Sequence, residues 1–320
     1  MKKIITSTIV AVVIVVAIVL IIKSKPTESY VVKIGNIPIM LSKLPLEIAQ
    51  QKGFFEDAGI TVQVTELASS NLVSDALLRG DVDITPEISI LPFITAEIID
   101  QGKAKIFSVT DLAITDVPFD SIIVKSDSRI NDINDLKGKK IGVFPGTTAI
   151  NTLKLLFEAK GVDSSTIQFI QLPPAQQLTA LSAGSIDALH AYEPTVSIAL
   201  VDNKMKRVYG AVYAEILNHS PIGAGLLSTK FINEHPGQAK KVVQALNKAY
   251  DYIRTNDKEA REIAQSMFKF SPEVSAAVSL PYFDHSNQID KGSVNKLLDM
   301  FVLGEEIKSK PDLTNAFYQP

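Results

Sequence analysis

The chain has 320 residues, of which 46% are hydrophobic and 21% are charged. This length is enough for two α/β domains with separate cores, and this composition excludes a disordered or fibrous protein. The formal net charge of -3 and the pI near 5.9 argue against nucleic acid as a partner. Cysteine is absent, which excludes disulfides, thiolate metal sites and a lipidated cysteine anchor.

The N-terminus carries an uncharged run, residues 4–22, with Lys2 and Lys3 before it and Lys23 and Lys25 after it. A bilayer-spanning helix needs roughly 20 such residues, whereas a cleaved signal peptide has a shorter apolar region and a small-x-small cleavage site. The run therefore favours an uncleaved signal-anchor, a transmembrane helix within residues 1–26, over a cleaved signal. The basic pair predicts a cytoplasmic N-terminus, and the remaining chain would lie outside the cell membrane.

After this segment, short β-branched runs alternate with helical patterns, which is typical of a parallel sheet built from βα units. The predicted elements of the first half are a strand at 31–37, a helix at 45–58, a strand at 61–67, a helix at 71–79 and a strand at 82–85. Gly59 and Gly80 follow the two helices, as expected of C-caps.

The middle of the chain repeats this order of elements. It predicts a strand at 141–144, a helix at 148–160, a strand at 167–171, a helix at 175–183 and a strand at 188–191. Both halves place Gly-x-x-Asp, at 80–83 and at 184–187, before the third strand, although few residues are identical between the halves. The repetition predicts an α/β fold of two similar lobes, each a mixed, mostly parallel sheet flanked by helices.

The connecting segments set the predicted domain boundaries. Residues 121–124 are predicted as a hinge strand and 223–227 as a strand that returns to the first lobe, while the rest of the chain is mostly helical. Lobe 1 is accordingly predicted at 27–122, lobe 2 at 123–224, and the return to lobe 1 with its C-terminal helices at 225–320.

Four motifs in order carry a resemblance to a known family. They are Pro45-Leu46-x-x-Ala49-x-x-Lys52-Gly53-Phe54-Phe55, then 135–143 (DLKGKKIGV) with Gly146-Thr147-Thr148, then Ala180-Leu181-x-x-Gly184-x-x-Asp187-Ala188, and Tyr192-Glu193-Pro194. Over about residues 31–290 the chain resembles the nitrate/sulfonate/taurine (SsuA- and TauA-like) solute-binding family, which includes binders of thiamine-pyrimidine precursors. Tyr192 departs from the tryptophan usual in that family.

The resemblance implies a type II periplasmic-binding-protein fold and the solute-binding role of an ABC importer, with no enzymatic activity and no cofactor. The implied partners are a small solute and a permease with its ATPase. A monomer tethered to the membrane by its N-terminal helix is expected.

Candidate ligand-binding residues follow from the strand ends, because open α/β sheets bind ligands there against helix N-termini. The Ser69-Ser70-Asn71 loop has simple helix capping as an alternative role, and Glu193 could likewise cap a helix. Glu87 is expected to face Glu193 across the cleft, with residues after the first strand forming a further wall. The predicted ligand-binding residues are Pro38, Leu44, Ser69, Ser70, Glu87, Gly146, Thr147, Thr148, Tyr192 and Glu193.

The residue types in these loops restrict the chemical class of the ligand. Hydroxyls and helix N-termini suit a sulfonate or nitrate, while the carboxylates suit the amino group of a zwitterion such as taurine or of an aminopyrimidine stacked on Tyr192. No arginine falls in these loops, which disfavours a doubly charged anion.

Two other functions stay open from the sequence. An enzyme on the same scaffold is one, although the four histidines show no metal-ligand spacing and the family's pyrimidine synthases carry a cysteine-rich motif absent here. His190, beside Tyr192, is the histidine of most interest, with packing in a strand as the alternative. A solute-sensing ectodomain is the other.

Overall fold

A computed structural model describes residues 30–38, 40–115, 118–218, 220–285 and 288–319. The predicted signal-anchor at residues 1–26 lies outside these residues. Within the described ranges, no helix combines the length and the apolar character needed to cross a bilayer.

The strands form two sheets. Their bounds are β1 Val31–Asn36, β2 Thr61–Glu66, β3 Ile84–Ser89, β4 Ala104–Ala113, β5 Asp120–Val124, β6 Lys140–Val143, β7 Gln168–Gln171, β8 Ala188–Tyr192, β9 Lys206–Gly210, β10 Ser220–Ser228 and β11 Phe283–His285. The first sheet has the order β11-β4-β10-β3-β1-β2 and the second β7-β6-β8-β5-β9. The second sheet is therefore inserted in the chain between β4 and β10 of the first.

Helices connect and cover the strands. Their bounds are α1 Leu44–Gln51, α2 Phe54–Asp57, α3 Ser70–Arg79, α4 Ile90–Ile99, α5 Thr148–Ala159, α6 Pro174–Ser182, α7 Thr195–Val201, α8 Val212–Ile216, α9 Thr229–Glu234, α10 Pro236–Thr255, α11 Asp257–Phe268, α12 Pro272–Ala277 and α13 Lys291–Leu303. Short 3-10 helices occur at Leu41–Lys43, Ile133–Leu136 and Ser164–Thr166.

Each sheet has its own core. On the first sheet, buried residues of β10 and β4 pack with α4 and α13, as Phe93 and Leu298 illustrate. The second sheet is buried on both faces, with Leu156 and Phe157 of α5 on one and Leu181 of α6 on the other. This arrangement agrees with the predicted α/β lobes, and β6 runs parallel to both β7 and β8 as expected.

The two segments predicted to connect the lobes, 121–124 and 223–227, are strands of different sheets. The strand predicted at 223–227 is present within β10, which pairs antiparallel with both β3 and β4. The segment predicted as a hinge strand, 121–124, lies in β5, an inner strand that pairs with β8 on one side and β9 on the other, and its role as a hinge stays a prediction. Strands β5 and β10 each run across one predicted lobe boundary, and those boundaries stay predictions.

Several element bounds differ from prediction for physical reasons. The helix predicted at 45–58 is split into α1 and α2, because Gly53 has a left-handed backbone with φ of 70°. The strand predicted at 82–85 continues to Ser89 through Pro86. The register between β10 and β3 shifts between Ala224 and Leu226, opposite this proline, so the missing N–H is accommodated at a bulge.

Candidate functional site

A cleft between the two lobes contains a cavity of about 100 Å³. A cavity of this size holds a few water molecules or one small solute. Its walls come from the ends of β1, β3, β6 and β8, from the N-termini of α3 and α5, and from β10. The lining residues are Ile37, Met40, Leu41, Ser42, Ser70, Asn71, Glu87, Ile88, Ser89, Phe119, Phe144, Pro145, Gly146, Thr148, Ala149, Tyr192, Glu193, Tyr213, Ile222, Gly223, Ser279 and Pro281.

The first lobe contributes the end of β3 and the start of α3. Glu87 and Ser89 are two residues apart in the strand and thus point to the same face. Ser70 Oγ accepts a hydrogen bond from the Ser89 N–H at 3.0 Å, which joins the helix start to the strand end. Glu87 is almost fully buried, so its carboxyl group lies in a medium less polar than water.

The second lobe contributes the N-terminus of α5, where Thr148 is the first helical residue. Thr148 Oγ1 lies 3.2 Å from Ser89 Oγ, and this hydroxyl pair joins the lobes across the cleft. Gly146 has a φ of 120°, and its N–H donates to Gln171 Oε1 at 2.8 Å. The glycine is therefore needed for the backbone of the loop that brings Thr148 to the cleft.

Four aromatic rings line the cleft from the second lobe. The Tyr192 ring stacks on Phe119 with centroids 5.8 Å apart and meets Phe144 edge-on at 6.0 Å. The Tyr192 and Tyr213 hydroxyls are 3.0 Å apart. Burial raises the pKa of Tyr213, so its hydroxyl stays protonated and available as a donor.

Glu193 is buried at the start of α7. Its carboxylate accepts hydrogen bonds from the Ser197 hydroxyl at 2.8 Å and the Ser197 N–H at 3.1 Å. Burial raises the pKa of Glu193 to about 7, and the Ser197 bonds oppose that rise. The carboxyl group is consequently poised between its protonated and ionised forms near neutral pH. The Glu193–Pro194 peptide bond is cis.

A buried histidine–aspartate pair packs against the aromatic rings on the side away from the cavity. His190 Nε2 lies 2.8 Å from Asp120 Oδ2, and both side chains are fully buried. The imidazole contacts the rings of Tyr192 and Tyr213, with centroids 5.2 Å and 6.2 Å away. His190 does not line the cavity, so packing within β8 is its place in the structure.

Six of the ten predicted ligand-binding residues line the cavity: Ser70, Glu87, Gly146, Thr148, Tyr192 and Glu193. Their binding of a ligand stays a prediction. Glu87 and Glu193 come from opposite lobes, as the sequence analysis expected.

The other four predicted residues lie elsewhere. Ser69 caps α3 by accepting from the Leu72 N–H, and Leu44 is fully buried in the core of the first lobe. Pro38 borders a surface depression with Lys43 and Glu66, outside the cleft lining. Thr147 faces a neighbouring groove.

Sequence reasoning missed several lining residues. Three of them belong to strands or strand ends: Phe119 precedes β5, Ser89 ends β3 and Gly223 lies in β10. The other two are Tyr213 in α8 and Ser279 after α12. Phe119, Ser89 and Gly223 are placed by antiparallel pairings of β5 and β10 with distant strands, which a local sequence pattern does not predict. Tyr213 and Ser279 lie outside the strands and reach the cavity through tertiary packing. Among the described residues, no group of three His, Asp or Glu is placed to hold a metal ion.

The sequence profile described as "NMT1/THI5 like" matches residues 42–260. The chain belongs to this family. The match confirms the resemblance seen in the four sequence motifs, and it includes strands of both sheets.

Individual relatives agree with this assignment. The chain is 28% identical over 232 residues to a putative aliphatic sulfonates-binding protein of Bacillus subtilis, covering 71% of this chain and 68% of that protein. It is 25% identical over 224 residues to a 4-amino-5-hydroxymethyl-2-methylpyrimidine phosphate synthase of Saccharomyces cerevisiae, covering 66% and 63%.

A solved structure confirms the fold class. The alkanesulfonate-binding protein SsuA of Xanthomonas axonopodis pv. citri, solved bound to MOPS, superposes with a TM-score of 0.74 at 17% identity. The match covers 90% of this chain and 98% of that one. The predicted two-lobed periplasmic-binding-protein fold is thus confirmed for the part of the chain that the structure describes.

Proposed function

We propose that this protein is the extracytoplasmic solute-binding component of an ABC importer and captures a small polar organic solute. The observation that carries the proposal is a small cavity lined by polar and aromatic groups from both lobes, with Ser89 and Thr148 in contact across it. A solute bound there would contact both lobes at once. It would therefore stabilise the arrangement in which the lobes meet.

The candidate solutes are an alkanesulfonate or taurine, a nitrate-like anion, and an aminopyrimidine. The names of the Bacillus and Xanthomonas proteins support the sulfonate class. Lobe closure would bury the solute and present a surface to the permease. The partners in this proposal are that permease with its ATPase and, through the N-terminal segment, the cell membrane.

An enzyme on this scaffold is the second candidate, and the match to the yeast synthase is the observation that favours it. The chain has no cysteine, and its buried His190–Asp120 pair lies behind the aromatic rings and away from the cavity lining. The described lining therefore offers only carboxyl, hydroxyl and amide groups for chemistry. Solute binding without turnover accounts for these groups more simply.

The test is isothermal titration calorimetry of the full-length chain, in detergent if required, with taurine, alkanesulfonates, nitrate, bicarbonate and aminopyrimidines. One class should bind saturably and raise the unfolding temperature, since a ligand of the folded state stabilises it. Failure of every class to bind a folded sample would contradict the proposal. Chemical conversion of the bound compound would favour the enzyme.

Two adjacent threonines provide a matched pair of variants. Thr148→Val removes the hydroxyl that meets Ser89 and should weaken solute binding roughly 2- to 10-fold, the effect of one lost hydrogen bond. Thr147→Val changes a residue that faces the neighbouring groove and should alter binding less than about twofold. Equal losses of solute affinity in both variants would contradict a solute site in the cleft.

A further inference from the structure

Residues 271–282, called the strap below, leave the first lobe, contact the second lobe and return. Before the strap, α10 and α11 pack against α1, the helix that follows β1 of the first sheet. After the strap, β11 pairs with β4 of that same sheet. Between these two attachments, α12 packs against α7 of the second lobe. The strap is therefore an element of the C-terminal region that contacts both lobes.

Hydrogen bonds attach the strap to the second lobe near both of its ends. Ser271 Oγ donates to Asp202 Oδ1 at 2.9 Å, at the C-terminal end of α7. Ser279 Oγ donates to the Pro118 carbonyl at 3.2 Å, just before β5. The Ser279 N–H also donates to the Glu193 carboxylate and opposes the rise in its pKa. The strap is thus bonded to the lobe that carries the aromatic rings.

The end of the strap forms part of the cavity wall. Ser279 and Pro281 are among the residues that line the cavity, beside Glu193. Val278, directly before them, is almost completely buried. A solute in the cavity would therefore contact the strap as well as the loops of the two sheets. The position of the strap determines the shape of this side of the cavity.

Arg261 of α11 holds the strap to the first lobe. Its Nη1 donates to the Ser275 carbonyl at 3.0 Å and to the Val278 carbonyl at 2.7 Å. The last carbonyls of a helix lack partners within the helix, and a cation is favoured beside them. Ser275 Oγ in turn donates to the Arg261 carbonyl at 3.2 Å. Arg261 thus fixes the end of α12 directly before Ser279.

A third bond of the guanidinium is independent of the strap. Arg261 Nε donates to Asp257 Oδ2 at 2.8 Å, one turn earlier on α11. The Arg261 side chain is 25% exposed and does not line the cavity. Its bonds to α12 can therefore be separated by mutation from its ion pair within α11, and neither change removes a group that would touch a solute.

We infer that the strap links the two lobes and closes one side of the cavity, and that Arg261 is a positioning residue for solute binding that acts through it. The inference rests on the proposed solute-binding function and extends it to a residue outside the cavity. With Arg261 in place the wall at Ser279 and Pro281 is already ordered, so binding does not have to supply the free energy of ordering it.

Hydrogen–deuterium exchange of the full-length chain tests the strap without any solute. Arg261→Gln removes the paired bonds to α12 and should increase amide exchange in residues 276–282 about tenfold. Asp257→Asn keeps those bonds and removes only the ion pair within α11, so exchange in the same residues should stay within about twofold of the natural protein. Unchanged exchange in Arg261→Gln would overturn the inference.

Calorimetry with the compound of the panel that binds tests the positioning role. Arg261→Gln should weaken binding about fivefold, since the solute must then order the strap, whereas Asp257→Asn should stay within about twofold. Arg261→Gln and Ser279→Ala both act on the strap, so their combined loss should be smaller than the sum of the single losses. Arg261→Gln and Thr148→Val act on different walls, so their losses should add.

The outcomes separate the two proposals. Additive losses in both double variants would show a general effect on stability and overturn the positioning role, as would unchanged affinity in Arg261→Gln; solute binding in the cleft would stand in either case. If no compound of the panel binds, the proposed function fails and the positioning role fails with it, while the exchange experiment still decides whether Arg261 holds the strap.

Discussion

The two walls of the cleft are chemically different. The second lobe supplies all the aromatic rings of the described lining, which are Phe119, Phe144, Tyr192 and Tyr213. The first lobe supplies aliphatic side chains such as Ile37, Met40 and Ile222, short hydroxyl side chains, one amide, one carboxyl group and the backbone at Gly223. Rings offer large apolar contact area, whereas short groups and exposed backbone allow close approach and hydrogen bonding. The second lobe is therefore suited to stack against a flat group of a solute, while both lobes supply a carboxyl group and hydroxyls for hydrogen bonding.

The walls also differ in how they are supported. The aromatic wall rests on its own contacts, with Tyr192 bonded to Tyr213 and the buried His190–Asp120 pair beneath both rings. Behind the opposite wall, the buried hydroxyl of Thr110 has no hydrogen-bond partner within the described residues. Unpaired buried atoms also occur behind the aromatic wall, where Asp120 Oδ1, Ser121 Oγ and His190 Nδ1 have no partner within the same residues.

The largest expected effect concerns Glu193 in the aromatic wall. Its pKa rises from 4.5 to about 7 on folding, so folding favours its protonated form. The corresponding stability is complete below pH 4.5 and is lost as the pH rises through 7, a change of about 3 kcal/mol. Glu193→Gln mimics the protonated group and should match the natural protein at pH 4 but exceed it by about 3 kcal/mol at pH 8.

Chemical denaturation of both proteins across this pH range measures the difference. Comparing the two proteins at each pH cancels the contributions of other titrating groups. Glu306 is one of these, because burial also raises its pKa to about 7. Parallel stability profiles for the two proteins would show that Glu193 titrates normally and is not desolvated.

The next effect concerns the rings themselves. Tyr192→Ala removes the stacking on Phe119 and the contact with Phe144, and it should weaken solute binding by about 2 kcal/mol or more, roughly 30-fold. Tyr192→Phe keeps the ring and loses the bond to Tyr213, so its loss of affinity should stay below about tenfold. Calorimetric affinities of the two variants separate the contribution of the ring from that of the hydroxyl. Equal losses of affinity in both variants would show that the hydroxyl, not the ring, is the important group.

The smallest expected effects concern two adjacent serines of the first lobe, one of which should affect stability and the other solute affinity. Ser69→Ala removes the cap of α3 and should lower the free energy of unfolding by about 1 kcal/mol without changing solute affinity. Ser70→Ala removes the acceptor for the Ser89 N–H in the cleft and should weaken binding. Thermal unfolding and calorimetry on both variants make the comparison, and a loss of affinity in Ser69→Ala would contradict it.

Local sequence signals identified the parts of the site that follow a strand and begin a helix. Ser70, Gly146 and Thr148 are such residues, and Tyr192 and Glu193 end a strand before a helix. Ser70, Gly146 and Thr148 follow short β-branched runs, so the local pattern placed them at the cleft. The run before Tyr192 and Glu193, Ala-Leu-His-Ala, has no β-branched residue, and the Tyr-Glu-Pro motif of the resembled family helped to locate these two residues.

The remaining parts depend on pairings between distant segments. The strand predicted at 82–85 would end before Pro86, but a register shift between β10 and β3 lets β3 continue to Ser89, which places Glu87 inside the strand and not after it. Phe119 and Gly223 reach the cleft because β5 and β10 pair antiparallel with strands far away in the chain. Such registers are set by tertiary packing and cannot be obtained from a local run of residues.

The hydroxyl contact between Ser89 and Thr148 has a kinetic consequence. In the proposed mechanism a bound solute leaves only after the lobes separate, so the lifetime of the complex includes the time needed to break this contact. A single neutral hydrogen bond contributes only about 1 kcal/mol. Its loss in Thr148→Val should therefore shorten the residence time of the solute about fivefold while leaving its rate of arrival nearly unchanged.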